Sequence, residues 1–212
     1  MKQNFETIAI RSQTERSQNK EHSAPLYLTS SYAFDTAEEG AALFSGDQQG
    51  YMYSRIANPN AEEFAQKLAA LEGAEAGIAV ASGMSAVFSV FGALLKTGDH
   101  VIASNSIFGS SHHVIENILP DWDIGFTFVD IGDEASWEKA FRPNTKLVFV
   151  ETPANPTLDL IDIEWLADIC HARGALLIVD NCFATPYLQQ PVSLGADIVM
   201  HSATKFIDGQ GR

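Results

Sequence analysis

Lys205 sits among small hydroxyl residues in the stretch HSATKF, with Ser202 and Thr204 on its N-terminal side. An amine placed there can form a Schiff base with a carbonyl, and the hydroxyls can donate to an anion. The plainer reading is a surface lysine, the usual fate of that residue. Asp180 closes the apolar run LLIVDNC. A carboxylate there is costly to bury unless something partners it. It is either a turn or cap residue or a group that holds a proton on a heterocyclic nitrogen. VASGMSAV puts Ser82, Gly83 and Met84 where an apolar run turns into a helical one. Free N–H groups at a helix start suit an anion, and glycine lets the backbone approach it. Such turns also occur with no ligand, and neither a Walker loop nor a G-x-G-x-x-G fingerprint is present. In YMYSRIANP, Tyr53 and Arg55 stand in an irregular region. The planar fork of arginine matches phosphate, although a loop arginine is also commonly just solvated. Phe108, in SIFGSSHHV, is placed to stack on a flat ring or to enter the core. His112 and His113 read as surface or interface residues, with no carboxylate or cysteine spaced for metal.

The elements that must carry these residues follow from the apolar pattern. Residues 1–60 are polar and weakly periodic, and read as an extended arm with one short helix near Thr36–Phe44. NAEEFAQKLAALEG then predicts a helix with Asn60 as N-cap and Gly73 as stop. Beyond it, GIAVAS, HVIAS, IGFTFVD, KLVFVE, ALLIVD and ADIVMH read as strands, with helical segments such as MSAVFSVFGALL and DIEWLADICHARG between them. Near-continuous Val, Ile and Leu predicts strands buried on both faces, and the alternation predicts a mostly parallel α/β sheet. In such sheets ligands bind at the carboxyl ends of strands. Residues 82–84, 104–108, 151–153, 180–181 and 201–205 all fall there. Lysine and aspartate converging on one edge is the combination pyridoxal phosphate needs: an imine-forming amine and a partner for the pyridinium nitrogen.

Composition narrows the class. With 46% hydrophobic and 19% charged residues, the 212-residue chain reads as an ordinary soluble protein with room for a sizeable core. A net charge of −14 argues against nucleic acid as partner, while leaving room for a local phosphate pocket. Cys170 and Cys182 form no metal-type spacing and suggest a reducing compartment. No secretory signal and no membrane-length apolar run is visible, so the expected location is the cytoplasm, with no membrane partner.

The series YSRIANP, SGMSA, ETPANP, DNCFATPYLQQPVSLGAD and HSATKFIDG resembles the Cys/Met metabolism family of pyridoxal-phosphate enzymes, the cystathionine γ-synthase-like branch. The motifs run in the family's order across residues 25–212. The resemblance implies a fold type I (aspartate-aminotransferase-like) large domain with helices on both faces of its sheet. It divides the chain into an arm, 1–60, and a cofactor-binding domain, 61–212, whose usual small C-terminal domain is absent from this chain. It implies that Lys205 holds the cofactor as a Schiff base and that Asp180 pairs with the pyridinium nitrogen. Gly83 and Met84 amides, with the Ser202 and Thr204 hydroxyls, would bind the phosphate. Tyr53 and Arg55 would reach the phosphate in a neighbouring subunit, which makes the protein a homo-oligomer, a dimer or tetramer with shared sites. Asn155 would lie near the phenolic oxygen, Glu151 in the same shell, and Phe108 at the ring-stacking position.

Many family members, the γ-lyases among them, have tyrosine where Phe108 stands. Phenylalanine stacks but cannot transfer a proton. SIFGSS and SATKFIDGQGR resemble the O-succinylhomoserine sulfhydrylase subgroup. The activity implied is γ-replacement in methionine biosynthesis, taking O-succinylhomoserine or O-acetylhomoserine plus sulfide to homocysteine. Cystathionine γ-synthase and methionine γ-lyase chemistry are the alternatives on the same scaffold. A non-catalytic cofactor-binding or assembly module is the alternative of another class, prompted by the end of the sequence at Arg212.

Overall fold

Asn58, Pro59 and Gly73 bound the longest helix of the N-terminal part for simple reasons. In the computed structural model, which describes residues 4–12 and 16–211, α3 spans Pro59–Glu72. Proline suits the first helical position because its missing N–H has no acceptor to lose. Gly73 ends the helix at φ +72°, a conformation that side chains resist. The N-cap is Asn58, whose side chain accepts from the Asn60 N–H at 2.9 Å, and not Asn60 as the sequence suggested. Asn60 is engaged elsewhere: it accepts from the Tyr27 N–H at 2.8 Å and donates to the Pro25 carbonyl at 2.7 Å, fastening the extended segment beside it. Two other helices, α1 (Phe5–Arg11) and α2 (Ala37–Ser45), belong to the same unit, residues 4–79. The sequence predicted α2 within one residue at each end and did not predict α1.

Residues 80–211 form the second unit. Helix α4 (Gly83–Leu94) leads to β1 (His100–Ser104), followed by α5 (Gly109–His113) and β2 (Gly125–Val129). Then come α6 (Glu134–Ala140), β3 (Thr145–Glu151), α7 (Ile163–Ala172), β4 (Leu176–Asp180), α8 (Thr185–Leu188) and β5 (Ile198–Met200). The sheet order is β2-β1-β3-β4-β5 and every pairing is parallel. The expected run at 77–82 forms no strand: Ile78 is exposed, and no described strand pairs with this stretch. An apolar run becomes a strand only where a neighbour takes its N–H and C=O groups.

Alternation divides the core into two layers. Val101, Ala103, Leu147, Phe149 and Ile178 face one side, where Val87 and Phe91 of α4 cover them. Ile102, Val148, Val150, Leu177 and Val179 face the other, under Trp137 of α6 and Ile163, Leu166 and Cys170 of α7. Burial on both faces explains the unbroken aliphatic runs. Because the chain goes from β1 out to β2 and returns on the far side of β1 as β3, the strand order reverses between β1 and β3. A crevice opens outside the carboxyl ends at such a reversal.

Candidate active site

Phe108 follows β1, Glu151 ends β3, Asp180 ends β4 and Ser202 to Lys205 follow β5. Glu151 and Asp180 are register partners in the ladder, so both carboxylates leave the sheet on the same face. Val150 and Val179 point into the α6–α7 layer, which puts the two acids on the α4 face. Asp180 is 6% exposed and Glu151 4%.

Their hydrogen bonds are mostly local. Asp180 Oδ1 accepts from the Cys182 N–H at 3.0 Å. Glu151 Oε2 accepts from the Phe108 N–H at 2.5 Å and Oε1 from the Asn155 N–H at 3.1 Å. Among the described residues no salt bridge reaches either acid. Burial pushes the Glu151 carboxyl up to about 7, and the Asp180 charge adds to it. Burial also raises Asp180, opposed by the Cys182 hydrogen bonds and by the fields of His201 and Lys205. A buried acid held above its ordinary range is a site that gains from a cation placed against it.

The N-terminus of α4 has the donors that an anion would need. Ser82 caps it, accepting from the Ser85 N–H at 3.1 Å. The first-turn N–H groups of Gly83 and Met84 have no acceptor within the helix. Gly83 lies against Ser202: a Cβ there would come within 2.7 Å of the Ser202 Cβ and 3.3 Å of its Cα. Only glycine allows the helix start and the Ser202 hydroxyl to sit side by side. Ser202 is fixed in turn by its N–H, which donates to Cys182 Sγ at 2.8 Å. Lys205 lies in a tight turn, its N–H on the Ser202 carbonyl at 3.1 Å and its carbonyl taking the Gly209 N–H at 2.8 Å. Its side chain is exposed, as is the Phe108 ring at 40%. A cavity of about 420 Å³ lined by Pro153, Leu158, Phe183, Leu188 and Phe206 opens beside this turn.

Gly83, Met84, Phe108, Glu151, Asn155, Asp180, Ser202, Thr204 and Lys205 all belong to the strand-end edge of the second unit. Tyr53 and Arg55 belong to the first unit and form a pair of their own, the guanidinium 4.7 Å from the ring centre and Tyr53 bridged to Ser31. His112 stacks on Phe128 at 4.0 Å and pairs with Glu116, while His113 meets Asn117. Sequence reasoning missed three residues at this edge. Cys182 joins the Asp180 and Ser202 loops. Gln189 donates to the Thr152 carbonyl at 2.8 Å and the Asn181 side chain at 2.9 Å. Asp159 accepts from the hydroxyls of Ser106 at 3.0 Å and Thr157 at 2.6 Å. A hydroxyl-rich loop after β1 and a lone aspartate after ETPANP were the only signals for the last.

The residues fit pyridoxal phosphate as donors and charges. A helix start beside the Ser202 hydroxyl suits an anion, Asp180 is a buried acid that no salt bridge among the described residues reaches, and Lys205 is close enough for its charge to act on that acid. Known proteins agree. O-succinylhomoserine sulfhydrylase of Pseudomonas aeruginosa is 51% identical over 208 residues, 98% of this chain and 52% of its own length. L-methionine γ-lyase of Porphyromonas gingivalis is 44% identical, over 88% of this chain and 47% of its own. Among solved structures, a protein assigned as an O-acetylhomoserine (thiol)-lyase from Campylobacter jejuni superposes with TM-score 0.95 at 36% identity, covering 100% of this chain and 52% of its own. That structure carries N'-pyridoxyl-lysine-5'-monophosphate. The chain thus spans about half the length of these relatives. Residues 6–212 match the pattern of the Cys/Met metabolism PLP-dependent enzymes, and the chain belongs to that family.

Proposed function

We propose that the chain is the cofactor-binding part of a γ-replacement enzyme in which sulfide displaces succinate or acetate from Cγ of O-succinylhomoserine or O-acetylhomoserine, giving homocysteine. The observation that carries it is Asp180: a buried acid without an ion-pair partner among the described residues, on the same sheet face as the α4 start and next to the lysine turn. Bound pyridoxal phosphate supplies an electron sink for charge that develops at the substrate α-carbon. Asp180 keeps the proton on the ring nitrogen and so keeps that sink effective. Lys205 would hold the cofactor covalently and, with its amine free, would take protons from Cα and Cβ as the acyloxy group leaves Cγ and return protons to Cβ and Cα once sulfide has added. Gly83 and Met84 N–H groups with the Ser202 and Thr204 hydroxyls hold the phosphate. Phe108 would stack on one face of the ring and, having no hydroxyl, would offer no proton there. Asn155 would hold the cofactor's phenolic oxygen. Tyr53 and Arg55 act on a neighbouring subunit's phosphate from the N-terminal arm, 1–60, in a cytoplasmic homo-oligomer. Identity to the sulfhydrylases supports sulfide as nucleophile.

The test is an absorption spectrum with added pyridoxal phosphate, for the parent and for Lys205→Ala. A band near roughly 420 nm, present in the parent and lost in the variant, is expected. Homocysteine from O-succinylhomoserine and sulfide, assayed against cystathionine from cysteine, then decides the reaction. A folded parent with no band would refute the reading.

A further inference from the structure

Glu151 stands where the strand order reverses, between the loop leaving β1 and the loop leaving β3. Each of its oxygens takes a backbone N–H from a different loop, Phe108 on one side and Asn155 on the other. With both oxygens committed to backbone, the carboxylate has no need to touch a ligand. Burying it is costly, and an aliphatic residue like those before it in β3 would fill the space more cheaply. What an aliphatic residue cannot do is hold two loops at a fixed separation. Phe108 is the N-cap of α5, so an anchor on its N–H sets the direction of its ring. On the outer side Asp159 ties the same two loops through Ser106 and Thr157, so the pair is stitched at both root and rim.

We propose that Glu151 is a positioning residue that fixes the gap between the Phe108 ring and Asn155, and with it the slot that receives the cofactor ring. This rests on the pyridoxal-phosphate reading above. Above pH 7 the deprotonated carboxylate offers an acceptor to each N–H; burial and the Asp180 charge hold the group up at about 7, so the tie to both loops loosens as the pH falls below that value. Asp180 and Cys182 face it from the end of β4, and His201 and Lys205 moderate the Asp180 charge.

Two variants separate positioning from packing. Glu151→Met fills the space without acceptors, and Glu151→Gln keeps one acceptor and sets a donor against the second N–H. Three quantities are read on the purified chain: the urea midpoint, the dissociation constant for pyridoxal phosphate, and the visible circular dichroism per bound cofactor, which reports how asymmetrically the ring is held. The Met variant is expected to keep the parent's midpoint or exceed it. Both variants are expected to bind at least tenfold more weakly and to lose more than half of the visible ellipticity. Competition by inorganic phosphate, which reads the α4 cradle alone, should be unchanged. Parent-like binding and ellipticity in both variants would overturn the proposal, as would loss of fold in both, which would make Glu151 a core residue. If the parent itself gives no band that depends on Lys205, the cofactor reading fails first and this proposal falls with it.

Discussion

Gly83 and Gly92 lie in the same helix, and adding one methyl to each should move stability in opposite directions. At Gly83 the new Cβ would sit 2.7 Å from the Ser202 Cβ. Carbon atoms rest at about 3.5–4.0 Å, so α4 and the Ser202 loop must part by roughly an ångström. The obstacle includes Ser202 backbone, at 3.3 Å, and cannot be relieved by turning a side chain. Overpacking of this kind costs about 1–3 kcal/mol. At Gly92 nothing lies within 4 Å, and alanine in a helix interior gains roughly 0.5–1 kcal/mol. Urea unfolding of both variants, followed by circular dichroism with unchanged slopes, should therefore place Gly83→Ala below the parent and Gly92→Ala above it. Because the displaced loop carries the hydroxyls proposed above to bind phosphate, Gly83→Ala should also weaken pyridoxal phosphate binding by about tenfold or more, the factor that 1.4 kcal/mol represents. Gly92→Ala should bind as the parent does. A Gly83→Ala chain with parental midpoint and parental affinity would refute the close approach of α4 to Ser202.

His100 is fully buried, its two ring nitrogens 2.9 Å from the hydroxyls of Thr145 and Thr127, and burial together with nearby Arg142 pulls it down to about 4. The unfolded histidine takes up its proton first, so this contribution is complete above pH 6.5 and is lost as the pH falls through 4, about 3 kcal/mol in all. Glu151, pushed up to about 7, acts in the opposite sense: its contribution is complete below its ordinary value and fades as the pH rises through 7. The difference in urea midpoint between the parent and His100→Gln, followed from pH 7 to pH 4, isolates the histidine; a constant difference would count against its burial as a neutral ring. Both cysteines are buried, with Cys170 pushed up to about 12 and Cys182 also raised by burial. The native chain should consume less than one equivalent of a thiol-disulfide reagent over the time in which the urea-unfolded chain consumes two, and rapid native labelling would contradict the packing around them.

The sheet was legible because its strands are buried on both faces, which leaves runs such as LVFV and LLIV with no polar interruption. GIAVAS also carries an apolar run, but a strand is a relation between two segments and one segment cannot announce its neighbour. For α3 the sequence offered two asparagines, and Pro59 between them was the better guide to the first turn. The residues with reactive side chains, Lys205 and Asp180, could be picked out by type and by position after a strand. Glu151 could be placed at the same edge, but not its work, because its partners are backbone N–H groups 43 and 4 residues away. Cys182 was legible as a reduced thiol and not as the link between Asp180 and Ser202, since an acceptor sulfur has no spacing signature.

An all-parallel sheet also governs when the site can exist. Neighbouring parallel strands cannot be joined by a tight hairpin, so each pairing waits for an intervening helix or crossover to be made. Pairings of this kind close long loops before any contact rewards them, which slows folding. The groups at the strand ends come from residues 83 to 205, with the lysine turn last in chain order. No early, partly assembled form presents both the α4 cradle and Lys205. A ligand that needs both binds only the finished sheet and draws the population toward it by mass action. Supplying the cofactor during synthesis or refolding should therefore raise the yield of native chain without accelerating the first steps of collapse.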